Sequence, residues 1–566
     1  MIKSTSILTV VAVMATAIAL GVFVHSMTAP ALGAFSATLM VLTDSLLIFL
    51  PFIFLRSSRR GLLLLPTAII GLICLAEIIY FRNFSDAIPG ASLSLISSID
   101  GLVMDSAIAS INRGDLIYLL PFISVVIALV SVRGQKIAES SRRFRAGYVC
   151  LTILMVVTSV AFSYRRICNW RQVDNLKDGF NAFKEMMDVQ TSHKGYLTTF
   201  GFNALLLHTI VDSMAGDRPL SDADRRYLED YFIEHQHSET LAKINGQSDQ
   251  NLILIVVESL GSEVFQAPGA ESVLPTLMAL ASDSSSLVAL DMFVEAGVGR
   301  SSDAQLIYNT GLMPLSDEPF VSRYASSDYP SLAKALGRCE SVDIIGEGAD
   351  LWHHGETSKS YGYDRLIADC RTPVDADSAI FEAAVAQIRG LRQPFFAEIT
   401  TLSMHDPYES LNVSPSDFGK MLSKTYPDQR DLNYLQSVAH FDRSLSRFLK
   451  QLKDAGLESS TVIAIVGDHE PRHGTLSDKL TGNSVPLIVL NGGHPARIER
   501  RVRQSDLFPT LLDLMGVTDY RPGELKAQYR GLGHSLIRPD VDVVSADSVK
   551  HKISELIIRS RYFNPK

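Results

Sequence analysis

Five apolar segments precede about residue 165, and they restrict the fold of this chain more than any other feature. Each is close to the roughly 20 residues that an α-helix needs to cross a bilayer. A backbone inside hydrocarbon must satisfy its own hydrogen bonds, so segments of this kind have to be helical. The predicted spans are Ile7 to Val24, Ala31 to Leu55, Gly61 to Tyr80, Leu116 to Val132 and Gly147 to Phe162.

The apolar excess of the chain is concentrated in this part. The mean hydropathy is +0.16 and 47% of the residues are hydrophobic, whereas the remainder of the chain has the composition of a globular domain. The first segment could be a cleaved signal peptide. We interpret it as a span because Met27-Thr-Ala-Pro lacks the small-residue cleavage pattern and four more spans follow.

The charges of the loops predict the orientation of the spans. The loop after the third span carries only Arg82 and Arg113, although it is the longest. The loops after the second and fourth spans carry more cations, namely Arg56, Arg59, Arg60, Arg133, Lys136, Arg142, Arg143 and Arg145. Because cations stay in the cytoplasm, the N-terminus is predicted inside and everything after residue 165 outside. The outer loop, Arg82 to Asp115, is predicted to lie on the membrane surface or to pack on the spans.

The rest of the chain predicts a helical connector and one α/β domain. We assign residues 1–163 to the transmembrane domain, 164–245 to amphipathic connecting helices, 246–540 to the catalytic domain and 541–566 to a C-terminal tail. Short β-rich runs alternate with helical ones in the third part, which favours a doubly wound α/β fold. The predicted strands are 251–257, 287–294, 341–346, 394–400, 461–466 and 485–490.

Two of these runs end on side chains that could bind a metal. "NLILIVVE" ends on Glu258, and "TVIAIVGDHE" leads into Asp468 and His469. Unbroken apolar runs are typical of inner parallel strands, and function collects at the carboxyl ends of such strands. The loop "GVGRSSDAQ" between them could supply the hydroxyl of Ser301. The pattern predicts a metal-activated nucleophile for a phosphate ester. Taken singly, each part could also be an ordinary strand end, turn or helix cap.

Charge and cysteine content exclude two other classes. The net charge of −9 argues against a nucleic-acid partner, which would call for a basic surface. The five cysteines have no CxxC or Cys/His spacing, so no structural zinc site is predicted.

Several motifs resemble the alkaline phosphatase/sulfatase superfamily, and more narrowly its membrane-anchored phospho-head-group transferases. These are the lipoteichoic acid synthases, the periplasmic-glucan phosphoglycerol transferases and the phosphoethanolamine transferases. The motifs that carry the resemblance are "NLILIVVESLGS", "GVGRSSDAQL", "LWHH…YGYDRL", "TLSMHDPY", "VGDHEPRHG" and "QSDLFPTLLDLMG". The chain departs from the synthase pattern at three positions, with Arg300 in place of Lys, Ser301 in place of Thr and His354 in place of Arg.

The resemblance implies a role for each motif. Ser301 would be the nucleophile and, with Glu258, Asp468 and His469, a ligand of one Mn²⁺ or Zn²⁺. His405 would contact the phosphate or protonate the leaving oxygen. The implied substrate-binding residues are Arg300, Trp352, His354, His405 and His473. The phosphoethanolamine transferases that modify lipid A carry several disulfides in this domain, whereas this chain has only Cys168, Cys339 and Cys370 outside the spans. At most one bridge is therefore possible, and Cys339–Cys370 is the pair that we suggest.

The implied reaction is transfer of a phospho-head group, with phosphoglycerol favoured, from a membrane phospholipid to a glycan or glycolipid through a phosphoserine. The implied place is the bacterial inner (cytoplasmic) membrane, with the catalytic domain in the periplasm or otherwise outside. Three alternatives stay open: a phosphoethanolamine transferase, a phosphodiesterase or phosphatase, and a non-enzymatic binding module. A sulfatase is disfavoured because "SSDAQ" lacks the Pro and Arg of the C/S-x-P-x-R sequence.

Overall fold

A computed structural model of the chain describes residues 4–28, 33–84, 86–98, 101–173, 175–188, 193–234, 249–371, 376–408, 428–471, 483–538 and 547–564. The chain divides into two compact units. The first comprises Met1–Leu93 and Ala107–Ala215, and the second comprises Ser94–Ser106 and Gly216–Lys566. The predicted domain boundaries after residues 163, 245 and 540 stay predictions.

The first unit is helical. In chain order the helices up to residue 234 are α1 (Thr5–Thr28), α2 (Ala34–Phe49), α3 (Leu64–Phe84), α4 (Gly101–Ala109), α5 (Leu120–Ser131), α6 (Arg142–Arg171), α7 (Leu176–Asp188), α8 (His193–Phe200), α9 (Phe202–Ser213) and α10 (Asp222–Glu234). Helix α1 packs against α2, α3 and α5, and α6 packs against α2. Their apolar side chains form two buried clusters.

The five predicted spans are confirmed. Five helical segments are long and apolar enough to cross a membrane: Thr5–Thr28, Ala34–Phe54, Ser57–Phe84, Arg113–Ser131 and Arg142–Arg171. Each extends a few residues beyond or short of its predicted range, because helices continue into polar flanks that hydropathy alone does not include.

The middle part of the outer loop, Ser94–Ser106, belongs to the second unit and not to the spans. Leu95 is buried in the core of that unit, and the hydroxyl of Ser106 donates to a backbone carbonyl there. The predicted place of this loop on the membrane surface stays a prediction.

The second unit contains a mixed sheet of nine strands. They are β1 (Asn251–Val257), β2 (Leu287–Phe293), β3 (Glu340–Ile345), β4 (Arg365–Ile367), β5 (Phe395–Thr400), β6 (Thr461–Gly467), β7 (Ser484–Leu490), β8 (Ala496–Ile498) and β9 (Val502–Arg503). The order is β4-β3-β5-β1-β6-β7-β2-β8, with β9 paired to β2. The pairs from β4 to β6 are parallel, and β7 is antiparallel to both neighbours.

Strand β1 is buried on both faces, as its unbroken apolar run predicts. Leu252, Leu254 and Val256 point into one core, whereas Ile253 and Ile255 point into the other. The alternation follows from the two-residue period of a strand. Because both faces are covered by helices, the α/β fold class is confirmed.

The helices that follow the connector cover these two faces. In chain order they are α11 (Ala270–Val273), α12 (Pro275–Ser282), α13 (Ser301–Thr310), α14 (Val321–Tyr324), α15 (Leu332–Ala335), α16 (His354–Tyr361), α17 (Ala376–Ile388), α18 (Gln429–Asp454), α19 (Leu507–Leu514) and α20 (Asp547–Ser560). Helices α13, α19 and α20 contribute to the first core, and α12, α17 and α18 contribute to the second.

All six predicted strands are present, within one residue at each end. Strands β4, β8 and β9 were not predicted, because two or three residues give no readable alternation. Helix α20 lies within the segment that the sequence analysis leaves as a tail. Its Ile553, Ile557 and Ile558 are buried in the first core.

The expected bridge between Cys339 and Cys370 is wrong. Both cysteines are free. Cys339 packs in the first core and Cys370 against the second, so the two thiols lie on opposite faces of the sheet.

Candidate active site

Strands β1 and β6 bring Glu258 and Asp468 together. The two strands are parallel neighbours, with Val257 opposite Gly467, so the next residue of each emerges at the same edge. The amide of Asp468 donates to the carbonyl of Val257 at 3.1 Å. A residue with a side chain would not fit at position 467, because a Cβ on Gly467 would lie 2.3 Å from the carbonyl oxygen of Leu260.

Hydrogen bonds fix one oxygen of the Asp468 carboxylate and leave the other. Oδ1 accepts from the amides of Ser259 at 2.7 Å and His469 at 2.6 Å. Oδ2 is buried, and no residue of the described ranges makes a hydrogen bond to it. It lies 3.5 Å from Nε2 of His469. A buried carboxylate oxygen without a donor is costly unless a cation binds it.

The loop before α13 places Ser301 at the helix start. The carboxylate of Asp303 accepts from the amides of Gly297 at 3.0 Å and Gly299 at 2.8 Å, which closes the loop. Arg300 has φ 49°, a left-handed conformation that is strained for a residue with a Cβ. Strain of this kind persists only where the surrounding contacts enforce it, and it often marks a functional site.

The hydroxyl of Ser301 lies between two of the predicted metal ligands. It donates to Oε2 of Glu258 at 3.0 Å and lies 3.2 Å from Nε2 of His469. The other oxygen of Glu258 accepts from the hydroxyl of Ser259 at 2.7 Å. The structure therefore places the predicted nucleophile against Glu258 and His469, and the same hydroxyl also acts on Asp468, whose pKa it lowers against the larger effect of burial.

The carboxyl groups of Glu258 and Asp468 lie side by side and are both buried. Burial raises the pKa of Glu258, but the charges of His469 and His405 and the hydroxyls of Ser259 and Ser301 outweigh it and lower that pKa to about 2. Burial, and then the charge of Glu258, raise the pKa of Asp468 well above its usual range. Two buried carboxylates side by side oppose each other's ionisation unless a cation is added.

These observations fit a divalent cation. Atoms of Glu258, Asp468 and His469 lie within 4.8 Å of one another, and this is the one such group of three among the described residues. The donor set is two carboxylate oxygens and an imidazole nitrogen, which suits Mn²⁺ or Zn²⁺. Such an ion would bind Oδ2 of Asp468, the oxygen that lacks a hydrogen bond from the described residues.

The Nδ1 side of His469 faces a carbonyl and a guanidinium. Nδ1 lies 3.0 Å from the carbonyl oxygen of Glu470, which can only accept, and 3.0 Å from Nη2 of Arg300, which can only donate. Nη2 of Arg300 also donates to the same carbonyl at 3.0 Å. These two neighbours favour opposite protonation states of Nδ1. Nε2, on the other side of the ring, lies 3.2 Å from the hydroxyl of Ser301 and is the nitrogen that a cation would bind.

The charges of His405 and Glu347 interact with each other and with that of Glu258. Nδ1 of the half-buried His405 lies 2.7 Å from the carbonyl of Asp406, so its Nε2 is the atom available for proton transfer. Burial raises the pKa of Glu347, with Glu258 adding to the effect and His354 and His405 opposing it. Glu347 lies two residues after Ile345, the last residue of β3, and the sequence analysis did not identify it.

His354 forms a pair with a buried carboxylate. Its Nε2 lies 3.0 Å from Oδ2 of Asp343, which lies opposite Glu398 across β3 and β5. Burial lowers the pKa of His354, but the carboxylates of Asp343, Glu347 and Glu398 outweigh it, so the net pKa is raised. The raised pKa favours the protonated form of His354, at the position where the synthase pattern has Arg.

Trp352 and His473 complete the predicted set. Trp352 is half-buried, has φ 49° and packs against the first core. Its indole therefore has the structural role of a core residue, whatever it does for a substrate. His473 lies outside the described residues.

The sequence analysis also missed a buried glutamine that joins two loops of the site. Gln504 accepts from the amides of Glu295 and Ala296, at 2.6 and 2.9 Å, and donates to the carbonyl of Asp468 at 2.7 Å. It therefore holds the chain before the Ser301 loop against the chain that carries Asp468. The only signal in the sequence is its place at the start of "QSDLFPT".

Two family models match the chain. The sulfatase model matches residues 250–517, and the model of the lipoteichoic acid synthase N-terminal domain matches residues 2–182. Residues 250–517 therefore form a sulfatase domain, and residues 2–182 form a lipoteichoic acid synthase N-terminal domain. The resemblance that the motifs predicted is therefore confirmed.

Curated proteins that are similar to this chain include lipoteichoic acid synthases. Lipoteichoic acid synthase 2 of Bacillus subtilis is 24% identical over 513 residues, which is 84% of this chain and 75% of that protein. Lipoteichoic acid synthase of Staphylococcus saprophyticus is 23% identical over 480 residues, 78% of this chain and 70% of that protein. The solved lipoteichoic acid synthase LtaP from Listeria monocytogenes has a TM-score of 0.45 and 16% identity, covering 60% of this chain and 96% of that one.

Proposed function

We propose that this sulfatase-superfamily protein transfers phosphoglycerol from a membrane phospholipid to a glycan or glycolipid acceptor. The observation that supports it most is the hydroxyl of Ser301, 3.0 Å from Glu258 and 3.2 Å from His469 at the start of a helix. The lipoteichoic acid synthases among the relatives support phosphoglycerol as the group transferred. A divalent cation held by Glu258, Ser301, Asp468 and His469 would lower the pKa of the hydroxyl and neutralise charge on the phosphate.

In the first step, the Ser301 oxygen attacks the phosphorus and the bond from phosphorus to the diacylglycerol oxygen breaks. The serine proton leaves to solvent before the attack. His405, protonated on both nitrogens, gives its Nε2 proton to the departing diacylglycerol oxygen. A phosphoglycerol diester then remains on Ser301, and His405 is neutral with its Nδ1 proton on the carbonyl of Asp406.

In the second step, the acceptor hydroxyl gives its proton to Nε2 of His405 and attacks the same phosphorus. The bond from phosphorus to the Ser301 oxygen breaks, and that oxygen takes a proton from solvent to become a hydroxyl again. The two steps balance because His405 gives one proton and recovers one, and Ser301 loses one to solvent and recovers one. The scheme is ping-pong, with the diester on Ser301 as the covalent intermediate.

The pair of His354 and Asp343 supports a phosphate contact in the head-group pocket. A raised pKa keeps the imidazole of His354 protonated to higher pH than usual, and a cation there would attract the phosphate. Glu347 favours a second candidate function, because a carboxylate beside His354 and His405 could bind the ammonium of phosphoethanolamine.

The membrane helices fit a lipid donor. A catalytic unit tethered to the bilayer meets lipid head groups at high effective concentration. The charges of the loops favour an outward-facing catalytic unit on the bacterial cytoplasmic membrane. The diacylglycerol product would stay in the bilayer from which the donor came.

The test uses the full-length protein with fluorescent phosphatidylglycerol or phosphatidylethanolamine and with Mn²⁺ or Zn²⁺. Diacylglycerol release and the mass added to Ser301 are followed. Ser301→Ala removes the nucleophile, and Ser302→Ala is the matched control because the Ser302 hydroxyl donates to Gly299 at 2.8 Å instead.

A phosphoglycerol adduct on Ser301, lost in Ser301→Ala and kept in Ser302→Ala, supports the proposal. A phosphoethanolamine adduct supports the second candidate function, that of a phosphoethanolamine transferase. Phosphate or glycerophosphate release without any adduct or acceptor product indicates a hydrolase. No reaction with any of these lipids despite bound metal contradicts the proposed function.

A further inference from the structure

The segment between the third and fourth spans contributes to the catalytic unit. The chain leaves the membrane unit after Leu93, adds Ser94–Ser106 to the second unit and returns at Ala107. Leu95 is 8% exposed in the first core, and the hydroxyl of Ser94 donates to the carbonyl of Ser322 at 3.1 Å. The segment is therefore attached to the catalytic unit at its beginning as well as at its end.

The attachment at its end reaches the loop of the catalytic histidine. The hydroxyl of the buried Ser106 donates to the carbonyl of Asp406 at 2.6 Å. The same carbonyl accepts the proton of His405 Nδ1 at 2.7 Å. A carbonyl oxygen has two lone pairs, so one atom serves both donors. Ser106 and His405 are joined through a single oxygen.

The rest of Asp406 is also held. Its carboxylate accepts from Nη2 of Arg430 at 2.5 Å, and the residue is 5% exposed. The amide of His405 donates to the carbonyl of Leu402, and that of Tyr408 to the carbonyl of His405. Arg430 fixes the side chain of Asp406, whereas Ser106 fixes its peptide carbonyl. The direction of the His405 ring depends on that carbonyl.

We propose that Ser106, which lies in the segment between the third and fourth spans, is a positioning residue for His405. This inference rests on the proposed function, because it gives His405 the proton-transfer role. The carbonyl that Ser106 holds selects the tautomer with Nε2 available. A shift of the segment would move this carbonyl and misdirect Nε2.

The test uses the full-length protein in vesicles of phosphatidylglycerol, with Ser106→Ala, Ser106→Thr and Ser94→Ala. Ser106→Ala is expected to lower kcat about tenfold with little change in KM, because residues that orient a catalytic group have effects of this size. Ser106→Thr keeps the hydroxyl and should restore most of the rate.

Ser94→Ala is the matched control, since it removes a hydroxyl from the same segment but from the carbonyl of Ser322. A wild-type kcat in Ser106→Ala, or equal losses of kcat in both alanine variants, would overturn the proposal. If the wild type does not use phosphatidylglycerol at all, the proposed function fails separately. Hydrogen exchange then decides: faster exchange of the His405 and Tyr408 amides in Ser106→Ala but not in Ser94→Ala supports the positioning role, and equal exchange overturns it.

Discussion

At the scale of the residue, the site depends on carboxylates whose charge is only partly balanced by the protein. Oδ2 of Asp468 is buried without a hydrogen bond from the described residues, while Oδ1 has two. Such an arrangement stores an unfavourable charge that a cation relieves. The affinity for the metal should therefore depend on Oδ2 of Asp468 more than on the other contacts of the loop that carries this residue.

We expect Asp468→Asn to lower the affinity for Mn²⁺ or Zn²⁺ by at least about 100-fold, because even residues behind a ligand cost 10- to 100-fold. Calorimetric titration of the purified full-length protein measures it. Asp343→Asn is the control, since Asp343 binds His354 and not the metal group. Equal affinities in the wild type and Asp468→Asn would exclude Asp468 as a ligand.

A second residue-scale prediction concerns pH. The pKa of His354 is raised by Asp343, Glu347 and Glu398 against the opposing effect of burial. A group with a raised folded pKa contributes stability below its ordinary pKa of about 6.5, and the contribution disappears as the pH rises through the folded pKa. KM for the lipid should rise over that same window as the imidazolium is lost.

Asp343→Asn should move this rise in KM to lower pH, because the imidazolium loses its nearest carboxylate. Measurement of KM from pH 5 to 9 tests it. Asp364→Asn is a suitable control, because Asp364 binds the amide of Ser341 on the same strand and has no histidine partner. A pH dependence that is the same in all three proteins would contradict a role of His354 in binding phosphate.

At the scale of the element, the loop before α13 (Ser301–Thr310) is the most demanding part of the fold. Gly299 lies so close to Asp303 that a Cβ there would be 2.2 Å from Oδ1. A Cβ on Gly297 would be 3.4 Å from the same carboxylate, an ordinary contact. The two glycines are therefore not equivalent, although the sequence presents them alike.

Gly299→Ala should lower kcat by roughly 100-fold, because a displacement of about 1 Å at the nucleophile costs that much. Gly297→Ala, two residues away in the same loop, should leave kcat close to that of the wild type. Steady-state kinetics with both variants in the same vesicles measure the difference. The interpretation of the loop is wrong if the two variants behave alike.

At the scale of the whole molecule, the joining of a membrane unit to a catalytic unit determines how the donor is met. The chain has five helices long and apolar enough to span a membrane before a unit of the sulfatase superfamily. An enzyme held in the bilayer samples the lipids of its own vesicle, so surface density replaces bulk concentration.

We expect the turnover of the reconstituted protein to follow the mole fraction of phosphatidylglycerol in its own vesicles and not the bulk lipid concentration. Dilution of the vesicles at constant composition should leave the rate unchanged, while dilution within the bilayer by phosphatidylcholine should lower it. A rate that follows bulk lipid would contradict a donor taken from the same membrane.

The orientation gives another prediction at this scale. A bacterial alkaline phosphatase fused after Lys566 should be active in cells, because that enzyme folds only outside the cytoplasm, and a fluorescent protein there should be dark. A fusion after Lys136, in the loop following the fourth span, should behave oppositely. The reverse pattern would overturn the orientation that the loop charges predict.

The spans, the strands and part of the site can be predicted from the amino-acid sequence, because they depend on local patterns. Five spans follow from hydropathy, and six strands follow from apolar runs because burial on both faces of a sheet leaves continuous signals. Glu258, Ser301, Asp468 and His469 were selected together since strand ends and a glycine loop mark where side chains converge. A family resemblance added the roles of the remaining residues.

Only the tertiary structure decided which distant residues share an atom or a charge. Gln504 joins two loops, and Asp343 pairs with His354. Ser106 and His405 share a carbonyl, although 298 residues lie between them in the sequence. The opposite faces of the sheet likewise keep Cys339 from Cys370. These relations arise from register and packing, which a local pattern cannot encode because it carries no information about the partner.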